Sequence, residues 1–175
     1  MIRALPAARS AKIAMTGSLA LFALLVAFNN LTDYGSNYRF VRHVLSMDTT
    51  FAGNALMYRA LDMPVMWHVS YVIIIIGELA TGIVLSMATV ALMRAWRSDA
   101  ASFDRAKTLV HAGVMLGFLV WFTGFMVIGG EWFAMWQSRI WNGQDPAFRF
   151  FVTMLLVVIY VSQPEPVCVA GSDVA

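Results

Sequence analysis

Four long apolar segments constrain this chain more than any other feature of its sequence. They run from about 12 to 31, 64 to 93, 108 to 129 and 146 to 162, and polar or charged residues bound each of them. A helix rises about 1.5 Å per residue, so a run of about 20 apolar residues can cross the hydrocarbon core of a bilayer. No sustained alternation of apolar and polar residues indicates a membrane barrel. The sequence therefore predicts an all-α integral membrane protein, built as a four-helix bundle.

The composition excludes a soluble globular protein. The chain is 60% hydrophobic and 13% charged over 175 residues, and its mean hydropathy is +0.71. A domain of this size has too little interior to hide so much apolar surface. The single cysteine, Cys168, excludes a disulfide framework and a cysteine zinc site. The net charge of +2, without a run of Lys and Arg, indicates no nucleic-acid partner.

The basic residues predict how the chain is oriented in the membrane. They are dense before the first span and between 94 and 107, whereas the arginines of the other side are matched by acids. Under the positive-inside rule, both termini then lie in the cytoplasm and the loops 33–63 and 130–146 lie outside. The first span lacks a small-residue cleavage site, so we expect it to be retained rather than removed as a signal peptide. The predicted transmembrane domain covers 1–163, and 164–175 form a polar tail.

Both outer loops carry amphipathic patterns. In the first loop, apolar residues recur at helical spacing opposite a polar face, which favours a short interfacial helix; a solvated loop packed over the bundle is the alternative. We expect a similar short helix in the second loop, which reads EWFAMWQSRIW. This second loop concentrates four large rings: Trp132, Phe133, Trp136 and Trp141. Two interpretations remain open, an aromatic belt at the lipid headgroups and a docking surface for other integral membrane subunits.

Glu78 is the ionisable residue that most needs an explanation, because it lies near the middle of the second span. Small residues surround it in sequence, so another helix can approach that face. One interpretation is functional: a proton or ion carrier, or a ligand to a cofactor. The other is structural: a protonated carboxyl that bonds a neighbouring helix. The sequence leaves both open.

Two further groups of polar residues are weaker candidates. Two imidazoles at equal depth on facing helices could hold haem, but the three histidines do not offer such a pair, so no cofactor is predicted: His43, His68 and His111. An outer polar cluster follows the first span, with too few carboxylates for a cation site, and we expect it to close the helix end: Asn29, Asn30 and Asp33. No metal site, nucleotide loop, nucleophile elbow or paired-carboxylate motif is present, so no catalytic residue is predicted.

Two stretches, FNNLTDYGSNYRFVRHVLSMDTTF and WFTGFMVIGGEWFAMWQSRIWNGQDPAFRF, are long enough to point to a family. Together with FDRAKTL, they resemble a group of bacterial, chiefly proteobacterial, predicted small integral membrane proteins of unknown function. The resemblance covers roughly residues 11 to 164 and leaves out the last ten. It implies a four-span protein of the bacterial inner membrane and supplies no activity or site residues.

Three functional hypotheses follow. The first is a non-catalytic accessory or assembly subunit of a larger inner-membrane complex, for instance a respiratory one, which docks through the aromatic loop. The second is a small transporter or proton-conducting protein centred on Glu78. It lacks the inverted repeat typical of transporters. The third is a haem or quinone redox protein.

Overall fold

The computed structural model describes residues 4–165, with side chains described from residue 7 onward, and this range contains helices and no strand. Two three-residue 3₁₀ turns, Met57–Arg59 and Met135–Gln137, lie in the loops. The longer helices are α1 Ala4–Thr32, α2 Tyr34–Ser46, α3 Pro64–Arg94, α4 Ala100–Ala106, α5 Thr108–Phe118 with a π-helical continuation over Leu119–Trp132, and α6 Gln144–Ser162.

Four helical stretches are long and apolar enough to cross a membrane. They are Ala7–Thr32, Pro64–Arg94, Ala100–Trp132 and Gln144–Ser162. Their outward faces carry bare aliphatic side chains, such as Ile73 and Ile159, which are 63% and 59% exposed. Exposed apolar faces of this extent belong in lipid rather than in water. The protein is therefore a multi-pass membrane protein with an all-α bundle.

Glycines set the closest contacts between the spanning helices. A methyl group at Gly82 of α3 would lie 2.7 Å from Leu24 Cγ and 3.0 Å from the Leu24 backbone nitrogen on α1. One at Gly113 of α5 would lie 2.7 Å from Leu85 Cγ on α3. Without a Cβ at these positions, the helices approach closely enough to pack by dispersion, which drives helix association in lipid. α3 thus lies between α1 and α5.

The third span extends beyond residue 129, its predicted end. Gly130 lies inside the helix, and the π-helical winding continues to Trp132. The Phe133 N–H donates to the Ile128 carbonyl five residues earlier at 3.0 Å. A methyl group at Gly130 would lie 2.5 Å from Nε2 at the end of the Gln144 side chain and 3.2 Å from the Phe125 carbonyl oxygen. Gly130 therefore packs closely against the start of α6.

α6 also begins earlier than its sequence indicates. The fourth span is predicted from about residue 146, but the helix begins at Gln144 with Gly143 in the capping position. Asp145, within its first turn, accepts a 2.6 Å hydrogen bond from Arg149 one turn later. A methyl group at Gly143 would lie 2.8 Å from Phe40 Cζ, so the close approach of α2 fixes this residue.

The outer loops differ from one another. The first contains α2, whose apolar residues are buried against the bundle: Val41, Val44 and Leu45. Protein covers this face, so a position of α2 at the lipid interface stays a prediction. The second loop forms only the turn Met135–Gln137, and the amphipathic helix predicted there is not formed. Three consecutive residues, Phe133, Ala134 and Met135, are all buried in one cluster. Successive residues of a helix point in different directions, so one buried face of a helix could not contain all three.

Candidate functional site

A buried polar cluster joins three helices around Glu78. This residue is 2% exposed and faces α1, where the Asn30 Nδ2 donates to Oε2 at 2.7 Å. The Asn37 Nδ2, on α2, donates to the Asn30 Oδ1 at 2.5 Å. The Tyr71 hydroxyl, on α3, donates to the Asn30 backbone carbonyl at 3.1 Å. Asn30 is therefore the hub through which Glu78 is connected to the outer end of the bundle.

Local sequence explains how these side chains meet. Tyr71 and Glu78 are seven residues apart, so they lie on one face of α3 about two turns from each other. Only Asp33 separates α1 from α2, so the chain turns at once and brings Asn37 next to Asn30. Gly82, one turn beyond Glu78, lets α1 approach this face of α3. The cluster is thus a consequence of one tight turn and one close helix contact.

A cavity of about 380 Å³ adjoins the cluster. Glu78 lies in its wall, deep in the bundle, whereas Asn37, Ile140 and Asn142 are exposed residues of its outer rim. Its polar lining consists of Asn30, Ser36, Asn37, Tyr71, Glu78 and Asn142. Its aromatic lining, besides Tyr71, consists of Phe40, Trp121, Phe125, Trp141 and Phe150. Volumes of this order are typical of small-molecule sites.

The Glu78 carboxyl has no basic side chain close to it. No Lys or Arg is among the residues that line the cavity, and over residues 7–165 no ion pair involves Glu78. Its Oε2 is bonded to Asn30, while Oε1 has no hydrogen bond from any described residue. A buried carboxylate is costly unless it is protonated or paired with a cation. Glu78 therefore lines the cavity with one carboxyl oxygen that accepts no hydrogen bond from any described residue.

The predicted outer polar cluster is split by the structure. Asn29 and Asp33 are exposed, whereas Asn30 is 5% exposed and points toward Glu78. The side-chain bonds of Asn30 go to Glu78 and Asn37 rather than to loop backbone, so closure of the helix end is wrong for this residue. Successive residues on a helix point about 100° apart, which separates Asn29 from Asn30, and Asp33 lies beyond the end of α1.

The three histidines each have a local partner: His43, His68 and His111. The His43 Nδ1 lies 2.8 Å from Asp48 Oδ2. The His68 Nδ1 lies 2.9 Å from the Tyr34 hydroxyl, and the His111 Nε2 lies 2.9 Å from the Ser162 hydroxyl. In the part of the chain that the structure describes, no group of three or more His, Cys, Asp or Glu could hold a metal.

The four rings of the second outer loop do not form one group. Trp132 and Trp136 are 52% and 50% exposed, but Phe133 is 5% exposed. Trp141 is half-buried and stacks on the His43 ring with centroids 4.6 Å apart. The sequence gives no sign of this division, because it depends on the first loop, which covers Phe133 and Trp141. The exposed apolar residues that remain in this loop are Trp132, Trp136 and Ile140, the last 77% exposed, and we call these three residues the ridge.

Hydrogen bonds between the two loops hold this ridge. The Thr49 hydroxyl donates to the Ser138 hydroxyl at 2.8 Å, and the Phe51 N–H donates to Gln137 Oε1 at 3.1 Å. Arg59 donates to the Trp132 carbonyl at 3.2 Å and lies over the Trp132 ring, 4.6 Å from its centroid. The exposed rings are therefore carried by a cross-braced loop.

A cluster of buried charges lies at the opposite end of the bundle. Glu165 accepts hydrogen bonds from Lys12 at 2.6 Å and Arg9 at 3.0 Å, and Lys107 lies 3.4 Å away. Burial alone would raise the pKa of the Glu165 carboxyl. Hydrogen bonds from Lys12 and Arg9 and the nearby positive charges outweigh burial, so this pKa lies below its ordinary value of 4.5.

Sequence reasoning missed this charge cluster, since Glu165 falls in the predicted polar tail. The available signal was a lone acid directly after the fourth span, together with basic residues at the ends of the first and third spans. The remaining tail, residues 166–175, lies outside the described residues.

The comparisons with known proteins give one match. A family model described as "predicted small integral membrane protein (DUF2165)" matches residues 8–164, the greater part of the chain. No curated protein and no solved structure matches the chain.

Proposed function

The chain belongs to this family of predicted small integral membrane proteins, and we propose that it is a non-catalytic accessory or assembly subunit of a larger bacterial inner-membrane complex, for instance a respiratory one. The observation that carries the proposal is the ridge of Trp132, Trp136 and Ile140, which is exposed although the loop beneath it is braced. A pre-ordered surface loses little conformational entropy when a partner binds. Tryptophan in particular supplies much of the binding energy at protein interfaces.

Replacement of one ridge residue tests docking against simple anchoring. Truncating a hot-spot tryptophan in a packed interface typically costs about 2 kcal/mol or more, which corresponds to about thirtyfold in affinity. Loss of one ring among several at the headgroup level leaves insertion almost unchanged. We therefore expect Trp136→Ala to insert at normal abundance but to lose its copurifying membrane partners.

The matched control is Phe148→Ala on α6. Phe148 is 50% exposed, as Trp136 is, but lies outside the ridge. Native electrophoresis in mild detergent, followed by mass spectrometry, measures partner recovery for both variants. Equal recovery from the wild type, Trp136→Ala and the other single ridge variants would return the loop to the aromatic-belt interpretation.

The proposed placement is the bacterial inner membrane, with both termini in the cytoplasm. It is supported by exposed cations between the second and third spans, Arg94, Arg97 and Arg105, which favour the cytoplasmic side. Reporter fusions after residue 175 and within 130–146 test this orientation. Activity of a periplasmic-only reporter at the C-terminus would contradict it.

An accessory subunit of this kind needs no cofactor of its own, and we propose that this protein binds none. The absorbance spectrum of the protein purified from its native membrane should then lack a haem band. A stoichiometric haem band would instead favour the redox hypothesis.

A second candidate function is a small transporter or proton-conducting protein, favoured by the free Glu78 oxygen in a cavity that reaches the outer surface. In proteoliposomes, proton or solute flux that Glu78→Gln abolishes would support it. Glu131→Gln, which removes an exposed acid outside the cavity, is the control. Flux no greater than that of empty vesicles would contradict it.

A further inference from the structure

We propose that the Glu78 cavity binds a small organic cation, that is, a substituted ammonium group. The inference is independent of docking through the ridge. It names the ligand class of the cavity on which the second candidate function depends. If the cation binds but no flux is measured, this inference still holds and the transporter function is excluded.

The first argument is the charge of the wall. Glu78 is only 2% exposed, and one of its carboxyl oxygens has no donor among the described residues. The other oxygen accepts from Asn30, which in turn accepts from Asn37. The Asn37 N–H thus orients the Asn30 amide so that its own N–H faces the carboxyl, an arrangement that suits an ionised carboxylate, which can only accept hydrogen bonds. A mobile cation in the cavity would neutralise this charge, since no fixed cation lines the cavity.

The second argument is the chemistry of the remaining walls. They are formed by rings that pack on one another: Phe40 lies 6.0 Å from Phe125, and Trp121 lies 5.8 Å from Phe150, between ring centroids. Aromatic rings attract organic cations through their negative faces, and they do so most strongly where water is excluded. A small inorganic cation instead requires several oxygen ligands. One carboxylate among aromatic walls therefore suits a substituted ammonium group better than a metal ion.

The third argument is access and size. The rim residues Ser36, Asn37 and Asn142 are exposed and polar, so a charged ligand can pass from the outer surface into the cavity. The volume of about 380 Å³ exceeds that of a trimethylammonium group with a short substituent. The same ammonium chemistry has two sources, a free solute and the headgroup of a lipid such as phosphatidylethanolamine.

The test is calorimetric titration of the full-length protein in nanodiscs of phosphatidylglycerol, which has no ammonium group. The probes are choline, tetraethylammonium and benzyltrimethylammonium, and 3,3-dimethylbutan-1-ol is the uncharged isostere of choline. We expect at least one cation to bind, and the isostere to bind at least tenfold more weakly than choline if choline is that cation. A second set of nanodiscs containing phosphatidylethanolamine identifies the source, since a headgroup in the cavity would compete with the probe.

Variants assign the binding to the cavity. Glu78→Gln keeps the shape and removes the charge, and we expect it to weaken cation binding at least tenfold, whereas Glu131→Gln leaves it unchanged. Trp141→Leu removes an aromatic wall and should weaken binding about fivefold, with Trp136→Leu, outside the cavity, as its control. If Glu78→Gln does not fold, Ser36→Lys at the rim should weaken binding relative to Ser36→Gln.

The proposal is wrong if none of the three cations binds at millimolar concentration. It is also wrong if choline is the cation that binds and its isostere binds equally well, or if Glu78→Gln folds and retains wild-type affinity. In each of these cases the cavity is not a site for an organic cation.

Discussion

Glu165→Gln should be among the most destabilising single replacements in this protein, although it lies in a segment that looks like a tail. The Glu165 side chain is 1% exposed, and those of Arg9, Lys12 and Lys107 are 9%, 4% and 4% exposed. Removing the carboxylate leaves three buried cations next to one another, of which Lys107 still pairs with Asp104 at 2.6 Å. Loss of one partner from a buried ion pair typically costs about 3–5 kcal/mol, and we expect Glu165→Gln to lower the free energy of unfolding by about 3 kcal/mol or more.

The control is Asp145→Asn, which breaks an ion pair of the same 2.6 Å length between side chains that are each 74% exposed. Solvent screens such a pair, so its loss should cost less than about 1 kcal/mol. Thermal unfolding in detergent, followed by circular dichroism, should show a melting temperature lowered on the order of 10 °C for Glu165→Gln and only slightly for Asp145→Asn. Equal shifts for the two variants would refute the stabilising role of the buried cluster.

The remaining predictions concern pH and the helix contacts. The pKa of Glu165 is depressed in the folded state. Its contribution to the free energy of unfolding is therefore complete above the ordinary Glu pKa and is lost as pH falls through the lower folded pKa. Acid titration should destabilise the wild type more than Glu165→Gln. Gly82→Ala should destabilise the protein by about 1–3 kcal/mol through overpacking against Leu24, whereas Gly35→Ala, with nothing within 4 Å, should stabilise it by up to about 1 kcal/mol. Melting curves of both variants compare the two glycines. Glu78→Leu should cost on the order of 1 kcal/mol through the lost interhelical hydrogen bond, and Glu78→Gln less; equal melting temperatures for both would contradict a structural contribution of that bond.

The number and approximate position of the spanning helices could be predicted because each depends on a local property, a run of apolar residues. Their ends could not. The third span continues past Gly130, which packs against Gln144 of the next element. α6 begins at Gln144, before the predicted start at about 146. Both ends lie against another element, and periodicity does not contain such contacts.

The candidate site could be predicted only in part. Glu78 stands out because an ionisable residue inside a span is costly. Its partner Asn30 lies 48 positions away, and Glu165 lies 153 positions from Lys12. Such pairs depend on which helices are neighbours and on their register. The division of the aromatic loop, with Phe133 buried and Trp136 exposed, likewise depends on the cover provided by the first loop.

Site-specific photocrosslinking in the native membrane tests the proposed docking role most directly. A photoreactive amino acid is placed at Trp136 on the ridge and, as a control, at Ile159, which is 59% exposed on the lipid-facing side of α6. The account predicts a discrete adduct with another integral membrane protein from position 136 that is missing from position 159. Adducts with lipid alone from both positions would contradict it.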